Sequence, residues 1–224
     1  YISSATLTIV DDEAKHLGRV LRKQQGEEIF VSDGEGSVYR CKINNLAKEL
    51  IDCSILEKLS SVNEPKVKIN LYQSLIKNPD RFEFAIEKAV ELGVNTVHPV
   101  ITEHVINKTT NKTERWQAIA LAAMKQSQRC VLPKIFEPVN FADAIVSANG
   151  ELKLIADEKE NDSRISIADI KDSFSTIDIF IGPEGGFTAN EAELAVSYGF
   201  KILSLGARIF RTETAAIYTI GKLL

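Results

Sequence analysis

The sequence is poor in the residues that build disulfide frameworks and metal sites. Its cysteines and its histidines number three each. The cysteines are odd in number and lack C-x-x-C spacing, which argues against both a disulfide framework and a zinc site. The histidines are equally scattered, so we expect no bound metal, and a chain without structural disulfides is expected in the cytoplasm. These residues are Cys41, Cys53, Cys130, His16, His98 and His104.

Long apolar runs and a strong charge of one sign are missing as well. Every apolar run is short and interrupted by charge, whereas crossing a bilayer takes roughly 20 apolar residues, so we expect no membrane segment. No targeting segment is visible, and Tyr1 in place of Met means that the native start can lie upstream. The formal net charge of −4 gives no support to nucleic-acid binding, which would have to rely on local basic patches.

Three common motifs of nucleotide and catalytic sites are absent. No G-x-G-x-x-G follows a predicted strand, and no G-x-x-x-x-G-K-S/T occurs, so ordinary dinucleotide and P-loop sites are disfavoured. The nucleophile elbow G-x-S-x-G is missing too.

The 224 residues, 44% of them hydrophobic, suffice for a buried core in one or two domains. Residues 1–66 predict a small β-barrel, because short alternating or apolar runs are separated there by glycine-containing turns. A polar linker with a proline, residues 60–65, closes this region. The predicted strands are 5–10, 28–31, 37–43 and 50–56, with a short helix over 13–21 whose inner face carries His16, Leu17, Val20 and Leu21.

Residues 67–224 alternate predicted strands and helices, which indicates an α/β domain with a mostly parallel sheet. Pro79 marks the first turn of one helix and Gly93 its C-cap. Thr188 and Glu191 have the spacing of a capping box, and Thr212 is predicted to cap the last helix. The predicted strands are 67–76, 96–101, 135–139, 153–156, 177–180 and about 202–205, and the predicted helices are 79–92, 112–129, 141–148, 188–198 and 213–224.

A glycine loop stands between the strand at 177–180 and the capping box. Gly182, Gly185 and Gly186 allow positive φ and leave the backbone open to close approach. The only charge inside the loop is the Glu184 carboxylate, so a polyphosphate is disfavoured, and a neutral or partly cationic ligand with hydroxyl groups fits better. A plain turn between strand and helix is the alternative interpretation.

A second loop follows the next strand and brings arginines to the same edge of the sheet, since both loops follow parallel strands. Arg208 and Arg211 are close enough to act together if this loop is helical, and they could hold a phosphate or an enolate-like oxygen. The alternative is that they form salt bridges with Glu184 and Glu213.

Both loops carry residues that resemble a known family. The segments IGPEGGFT from Ile181 and LGARIFRTETA from Leu205 are similar to motifs of the RsmE family of ribosomal RNA methyltransferases. The resemblance extends over nearly the whole chain, through HLGRVLR from His16, EKAVELGV from Glu87, Arg115-Trp116 and AAMKQSQR from Ala122.

The resemblance implies a PUA-like RNA-binding β-barrel over 1–66 and a SPOUT methyltransferase domain over 67–224, whose C-terminus forms a trefoil knot. Members use S-adenosylmethionine, act as homodimers and methylate N3 of a uridine in the decoding region of 16S rRNA within the small ribosomal subunit. By similarity, the cofactor would contact the two loops and the end of a preceding strand. The implied cofactor-binding residues are Leu154, Ile155, Gly182, Pro183, Glu184, Gly185, Gly186, Leu205, Gly206, Ala207, Arg208 and Ile209.

For catalysis, we expect Arg211 or Arg208 to stabilise the developing oxyanion, and Glu184 or Glu213 to accept the proton. For RNA binding, basic and amide side chains of the first region and of the helix over 112–129 are expected, with a solvated surface as the alternative for the first cluster. These residues are Arg19, Arg22, Lys23, Arg40, Arg115, Gln126 and Arg129.

The chain departs from the family pattern on the expected RNA side. His104 stands where an arginine is usual, and Lys125 where a glutamate is usual. Two other functions therefore stay open: a non-catalytic RNA-binding protein, and a knotted methyltransferase that acts on another RNA base.

Overall fold

The computed structural model describes residues 2–3, 5–106, 112–158, 164–170 and 173–224. The chain forms two compact units. The first comprises Tyr1–Glu64 and the short segment Arg129–Val131, and the second comprises Pro65–Gln128 and Leu132–Leu224.

The first unit is a four-stranded antiparallel sheet in the order β1-β4-β3-β2. Alternate strand residues such as Cys41, Ile43 and Cys53 point into its small core, as the period of two predicts. In the described residues no pairing of β1 with β2 closes the sheet into a barrel. The elements are β1 (Thr6–Val10), α1 (Asp11–Lys15, continued by a π-helical turn, His16–Val20), β2 (Glu28–Ser32), β3 (Ser37–Leu46) and β4 (Leu50–Ser60).

The prediction of which side chains the first helix buries is partly wrong. Val20 and Leu21 are 64% and 52% exposed, whereas Ala14 is buried and Leu17 packs against the core. The reason is that the helix begins earlier than predicted, at Asp11, and then widens into a π-helical turn, which rotates the following side chains away from the face that a regular helix would bury.

The second unit is an eight-stranded sheet in the order β10-β12-β9-β11-β5-β6-β7, with β8 also paired to β6. All of its pairings are parallel, as the alternation of strands and helices predicts. The strands are β5 (Lys68–Ser74), β6 (Thr96–Ile101), β7 (Lys134–Ile135), β8 (Val139–Asn140), β9 (Leu152–Ala156), β10 (Ile165–Ser166), β11 (Thr176–Ile181) and β12 (Lys201–Ser204). The helices are α2 (Pro79–Leu92), α3 (Thr113–Gln126), α4 (Phe141–Ser147), α5 (Ala189–Ser197) and α6 (Thr212–Leu223).

Helix α2 begins and ends where its sequence predicts. The Asn78 side chain accepts a hydrogen bond from the Asp80 amide at 2.9 Å, Pro79 occupies the first turn, and Gly93 ends the helix with φ +105°. A Cβ on Gly93 would come within 2.3 Å of Pro65, so glycine is required there for two reasons. The capping box of α5 is also confirmed, since Thr188 and Glu191 bond to each other's backbone.

Two hydrophobic cores cover the two faces of this sheet. Helices α2, α3 and α6 contribute to one, and α4 and α5 to the other. The second core holds a continuous stack of four rings in the order Phe136, His98, Tyr72 and Phe180, with centroids 4.2, 4.3 and 4.2 Å apart. Because both faces are covered, polar groups that a ligand could reach concentrate at the edge where the strands end.

Three predicted boundaries differ in the structure. The strand predicted over 135–139 is split into the two-residue strands β7 and β8. Helix α3 ends at Gln126 rather than at 129, because Gln128 adopts φ +57°. The cap of α6 is Arg211, while Thr212 lies inside the first turn and its hydroxyl bonds elsewhere.

Candidate active site

A cavity of about 320 Å³ lies at the carboxyl ends of the neighbouring strands β12, β9 and β11. Its size falls within the usual range of small-molecule sites. The glycine loop and the arginine loop both line it, so the expectation that they share one site is met in the geometry. The lining residues are Arg81, Ala156–Glu158, Ile181–Glu184, Gly186, Ser204–Gly206, Arg208–Glu213 and Ala215.

The three loop glycines are required for different reasons. A Cβ on Gly182 would come within 3.2 Å of the Phe187 ring, and a Cβ on Gly185 within 3.1 Å of His104. Gly186 has φ +66° and a Cβ there would meet no protein atom. Two glycines thus serve packing within the protein, and only Gly186 faces open space next to the cavity.

The floor of the cavity is held by a chain of side-chain bonds. The Gln73 amide donates to the Thr212 hydroxyl at 2.9 Å, and this hydroxyl donates to the Gly182 carbonyl oxygen. The side chains of Gln73 and Thr212 are both buried. The two residues are 139 positions apart in the chain. These bonds fix the glycine loop against both β5 and α6.

Glu213 is a buried carboxylate at the edge of the cavity. Its side chain is 11% exposed, and its Oε1 lies 3.8 Å from Nε of Arg81, which lines the cavity as well. Its Oε2 is buried and has no hydrogen-bond partner among the described residues. A buried carboxylate oxygen without a donor is costly, so this group is suited to a partner that arrives with the ligand.

Arg208 and Arg211 are exposed and line the cavity from a loop that is not helical. Among the described residues, neither forms an ion pair with Glu184 or Glu213. Glu184 instead accepts hydrogen bonds from the Lys77 amide, at 3.2 and 3.4 Å, and Glu213 lies near Arg81. The alternative interpretation, in which salt bridges to Glu184 and Glu213 occupy the two arginines, is therefore not found among the described contacts. Both guanidinium groups can reach a ligand.

Several residues predicted to bind the cofactor lie elsewhere. Leu154 and Ile155 are fully buried in the two cores, because parallel strands bury both faces. Gly185 faces His104, and Ala207 is not among the lining residues. The strand end contributes Ala156, Asp157 and Glu158 instead. Sequence reasoning missed Arg81 and Gln73, which no local motif marks because they approach the site through tertiary packing.

The basic cluster of the first unit is only partly free. Arg19 and Arg22 are exposed, whereas Lys23 lies 3.5 Å from Glu27. Arg40 bonds to both Glu28 and Glu57 at 3.2 Å. Because these glutamates partly neutralise them, Lys23 and Arg40 contribute less positive potential than the sequence predicts.

Two further residues predicted to bind RNA are engaged in ion pairs. Arg115 makes two bonds of 2.7 Å to the Glu83 carboxylate, and these hydrogen bonds lower the pKa of Glu83. Arg129 is 4% exposed and bonds to Glu64 at 2.7 Å. It therefore forms a buried ion pair and does not face solvent, where RNA could reach it. Gln126 is exposed at the end of α3.

The cavity fits the cofactor that the resemblance implies. Gly186 and Gly206 both have positive φ, and at both positions a Cβ would extend into empty space beside the cavity. The lining carries the acidic Asp157, Glu158 and Glu213, which suit a ligand with a cationic sulfonium and ammonium group. In the described part of the chain we find no metal-ligand cluster, and no helix there is long and apolar enough to span a bilayer.

Comparison with known proteins agrees with this site. Residues 63–224 match the RNA methyltransferase domain family, and residues 9–56 match the RNA methyltransferase PUA domain family. Ribosomal RNA small subunit methyltransferase E of Synechocystis sp. is 36% identical over 99% of this chain and 74% of its own length. The protein of the same name from Aquifex aeolicus is 34% identical over 97% of this chain and 93% of its own length.

A solved structure has the same fold. The crystal structure of ribosomal RNA small subunit methyltransferase E from Neisseria gonorrhoeae, bound to S-adenosyl methionine, aligns with a TM-score of 0.87 at 34% identity and covers 98% of this chain and 92% of its own. Sequence, fold and cavity agree, and the chain belongs to the ribosomal RNA small subunit methyltransferase E family.

Proposed function

We propose that the chain methylates N3 of a uridine in the decoding region of 16S rRNA, within the small ribosomal subunit, using S-adenosylmethionine. The observation that carries this proposal is the cavity, which the two family motifs line together at the ends of three parallel strands. We place the PUA-like RNA-binding barrel in residues 1–66 and the methyltransferase domain in residues 67–224.

The proposal includes a C-terminal knot, a homodimer and a cytoplasmic location. In favour of the knot, the chain passes from β12, on one side of the sheet, to α6, which packs on α2, β5 and β11 and on the turn Ile167–Asp169. The homodimer rests on the resemblance to the RsmE family, whose members act as homodimers.

Residues of the glycine loop, the arginine loop and the start of α6 would hold the cofactor. Gly186 and Gly206 provide backbone surfaces without side chains, and Glu213 provides a buried carboxylate oxygen for a cationic group. The proposed cofactor-binding set also keeps the other predicted residues that line the cavity, which are Gly182, Pro183, Glu184, Leu205, Arg208 and Ile209. When bound, S-adenosylmethionine supplies a methyl group activated by its positively charged sulfur.

Two kinds of residue contribute to the chemistry. Uracil N3 carries a proton that must leave, and negative charge then spreads to O2 and O4. Arg211, or Arg208, stabilises this charge, an effect worth about 3 kcal/mol where water is excluded. Glu184 and Glu213 are candidates to accept the proton, a role worth about 10²- to 10⁴-fold in rate.

The decisive experiment maps the product. Small ribosomal subunits from cells that lack the enzyme are incubated with the protein and labelled S-adenosylmethionine, and the new methyl group is located by mass spectrometry. We expect N3-methyluridine in the decoding region. Methylation of another base would support the alternative of a different specificity, and the absence of cofactor binding in isothermal titration would support a non-catalytic RNA-binding protein.

The role of Arg211 is tested separately. Arg211→Ala is expected to lower the methylation rate about 100-fold while cofactor affinity stays close to that of the unchanged protein. A variant with full rate and full affinity would remove the electrostatic role from Arg211.

A further inference from the structure

A second hollow lies beside the glycine loop and next to the cofactor cavity. It has a volume of about 530 Å³ and is lined by Lys77, His104, Ile106, Glu184 and Gly185. Glu184 lines both spaces, so the hollow adjoins the cofactor cavity at this side chain. A ligand in the hollow would therefore lie next to a ligand in the cavity.

The topology explains why these residues meet. Lys77 follows β5, His104 follows β6 and Glu184 follows β11, and the three strands are neighbours in the order β11-β5-β6. Because the strands are parallel, the segments that follow them converge at one edge. This is the same edge at which β11, β9 and β12 form the cofactor cavity.

His104 is seated firmly against the glycine loop. Its Nδ1 lies 2.9 Å from the Gly185 carbonyl oxygen and 3.0 Å from that of Gly186. The Glu103 amide before it donates to Glu191 Oε1 at 2.9 Å, so the segment is tied to helix α5 as well. A Cβ on Gly185 would come within 3.1 Å of His104, so a larger residue there would press against the histidine.

These contacts determine which ring nitrogen of His104 carries the proton. Carbonyl oxygens only accept hydrogen bonds, so Nδ1 must carry the hydrogen that is donated to Gly185 and Gly186. In the neutral ring, Nε2 is then an acceptor with a free electron pair. No described residue bonds to Nε2, and the His104 side chain is exposed, so a ligand can reach it.

We propose that this hollow receives the target pyrimidine base and that Nε2 of His104 accepts the proton of its imide nitrogen. The inference rests on the proposed function and names the group that removes the N3 proton. Lys77 lies in the same hollow, where its ammonium stabilises the negative charge that spreads to a carbonyl oxygen of the base.

The proton transfer balances without a further reagent. The N3–H bond breaks and an Nε2–H bond forms, which leaves the electron pair on N3. This pair forms the bond to the transferred methyl carbon while the methyl–sulfur bond breaks. The imidazolium then returns its proton to water, which its exposure permits.

His104 suits this role better than the two carboxylates. Imidazole is by nature a stronger base than a carboxylate and so a better match to an imide proton. Glu184 already accepts hydrogen bonds from the Lys77 amide, and Glu213 is 8% exposed and lies near Arg81. The charged groups that face His104 are Lys77 and Glu184 across the hollow, Glu103 on its own segment and Glu191 on α5.

The first test determines the tautomer of His104 and does not require catalysis. The chain has three histidines, so nitrogen-15 NMR of the whole protein can assign each ring with single variants. We expect His104 to carry its proton on Nδ1 and its Nε2 signal to shift when a uridine-containing oligoribonucleotide is added. A proton on Nε2 in the free protein would overturn the inference.

The second test measures the pH dependence of a single turnover on small ribosomal subunits, with cofactor at saturation. For the wild-type protein we expect the rate to fall towards acidic pH, because only an unprotonated base can accept the N3 proton. His104→Gln is expected to be slower by about 10²- to 10⁴-fold and to lose this acidic decline, and added imidazole should restore part of the rate of His104→Ala. Cofactor affinity, measured by titration, should stay within a few fold, which separates lost chemistry from a displaced glycine loop.

The third test uses a matched pair of lysine variants. Lys77→Met is expected to lower the rate at least 10-fold, whereas Lys201→Met, at the amino end of β12 and so at the opposite edge of the sheet, should leave it unchanged. If wild-type protein methylates uridine N3 but His104→Gln keeps its rate and its acidic decline, the inference alone fails. If wild-type protein produces no N3-methyluridine, the proposed function fails whatever the state of His104.

Discussion

The hydroxyl of Thr212 donates to the carbonyl oxygen of Gly182 and so joins the first turn of the last helix to the glycine loop. The same hydroxyl accepts a hydrogen bond from Gln73. One side chain therefore connects β5, the loop after β11 and α6, all of which border the cofactor cavity.

Replacing Thr212 should loosen this connection. In Thr212→Val the Gly182 carbonyl oxygen loses this donor, and the Gln73 amide keeps only its hydrogen bond to the Ser74 carbonyl oxygen. Leaving a buried polar group unpaired costs about 1–3 kcal/mol. We expect lower stability in urea unfolding and weaker cofactor binding in titration calorimetry. Thr212→Ser keeps the hydroxyl and should retain most of the stability and most of the cofactor affinity. Equal losses in the two variants would contradict the importance of the two hydrogen bonds.

Gly206 and Gly26 provide a matched pair for the cofactor cavity. Both have positive φ, +102° and +90°, and at both a Cβ would meet no protein atom. Alanine at either position should cost about 1–2 kcal/mol of stability through backbone strain. Only Gly206→Ala should weaken S-adenosylmethionine binding, since Gly26 lies in the first unit; an equal change in affinity would mean that Gly206 does not face the ligand.

The ion pair of Glu64 and Arg129 should be important for stability. Its side chains are 12% and 3% exposed, and Glu64 also accepts hydrogen bonds from the amides of Cys130 and Val131. Glu64→Ala removes the carboxylate that faces a buried guanidinium and should cost about 3–5 kcal/mol in urea unfolding. Glu49→Ala breaks an exposed contact of 3.6 Å with Lys15 and should cost less than about 1 kcal/mol. Similar costs for the two variants would contradict this difference.

His98 should make the stability depend on pH. Burial lowers the pKa of His98 from 6.5 to about 4, an effect opposed by Asp178 and assisted by Lys134. The unfolded chain binds this proton at a higher pH than the folded chain does. The contribution of His98 to the free energy of unfolding is therefore fully present above pH 6.5 and is lost as the pH falls from 6.5 to 4. The loss should reach about 3 kcal/mol. His98→Phe keeps a ring in the stack and should remove this part of the pH dependence, as urea unfolding at several pH values will show; an unchanged dependence would assign it to other groups.

Arg19 and Arg22 should carry most of the RNA affinity of the first unit. They are exposed, whereas Lys23 and Arg40 are paired with glutamates. Replacing both arginines by glutamine should weaken RNA binding and reduce its salt dependence by a slope of about 1 to 2, with cofactor affinity intact. The same replacement of Lys23 and Arg40 should have a smaller effect, and the reverse order would contradict the assignment.

The sequence was most informative where neighbouring residues decide the structure. Asn78, Pro79 and Gly93 define helix α2, and Thr188 with Glu191 defines the start of α5, because caps act within a few residues. Parallel pairing followed from the alternation of strands and helices, although the strand order did not.

Long-range contacts account for what could not be predicted. Arg129 has the sequence context of an exposed helix end, but Glu64 binds it in the first unit. Thr212 has the sequence of a cap, but two partners far away in the chain engage its hydroxyl. Gly185 is conspicuous in the sequence as part of a ligand loop, yet its space is filled by His104 from another strand end.

The carboxylate of Glu191 accepts from the Glu103 amide with one oxygen and from the Thr188 amide with the other, at 2.9 Å each. Unwinding the start of α5 would therefore also displace the carboxylate that holds the segment carrying His104. In hydrogen exchange, opening of the start of α5 should therefore also expose the Glu103 amide.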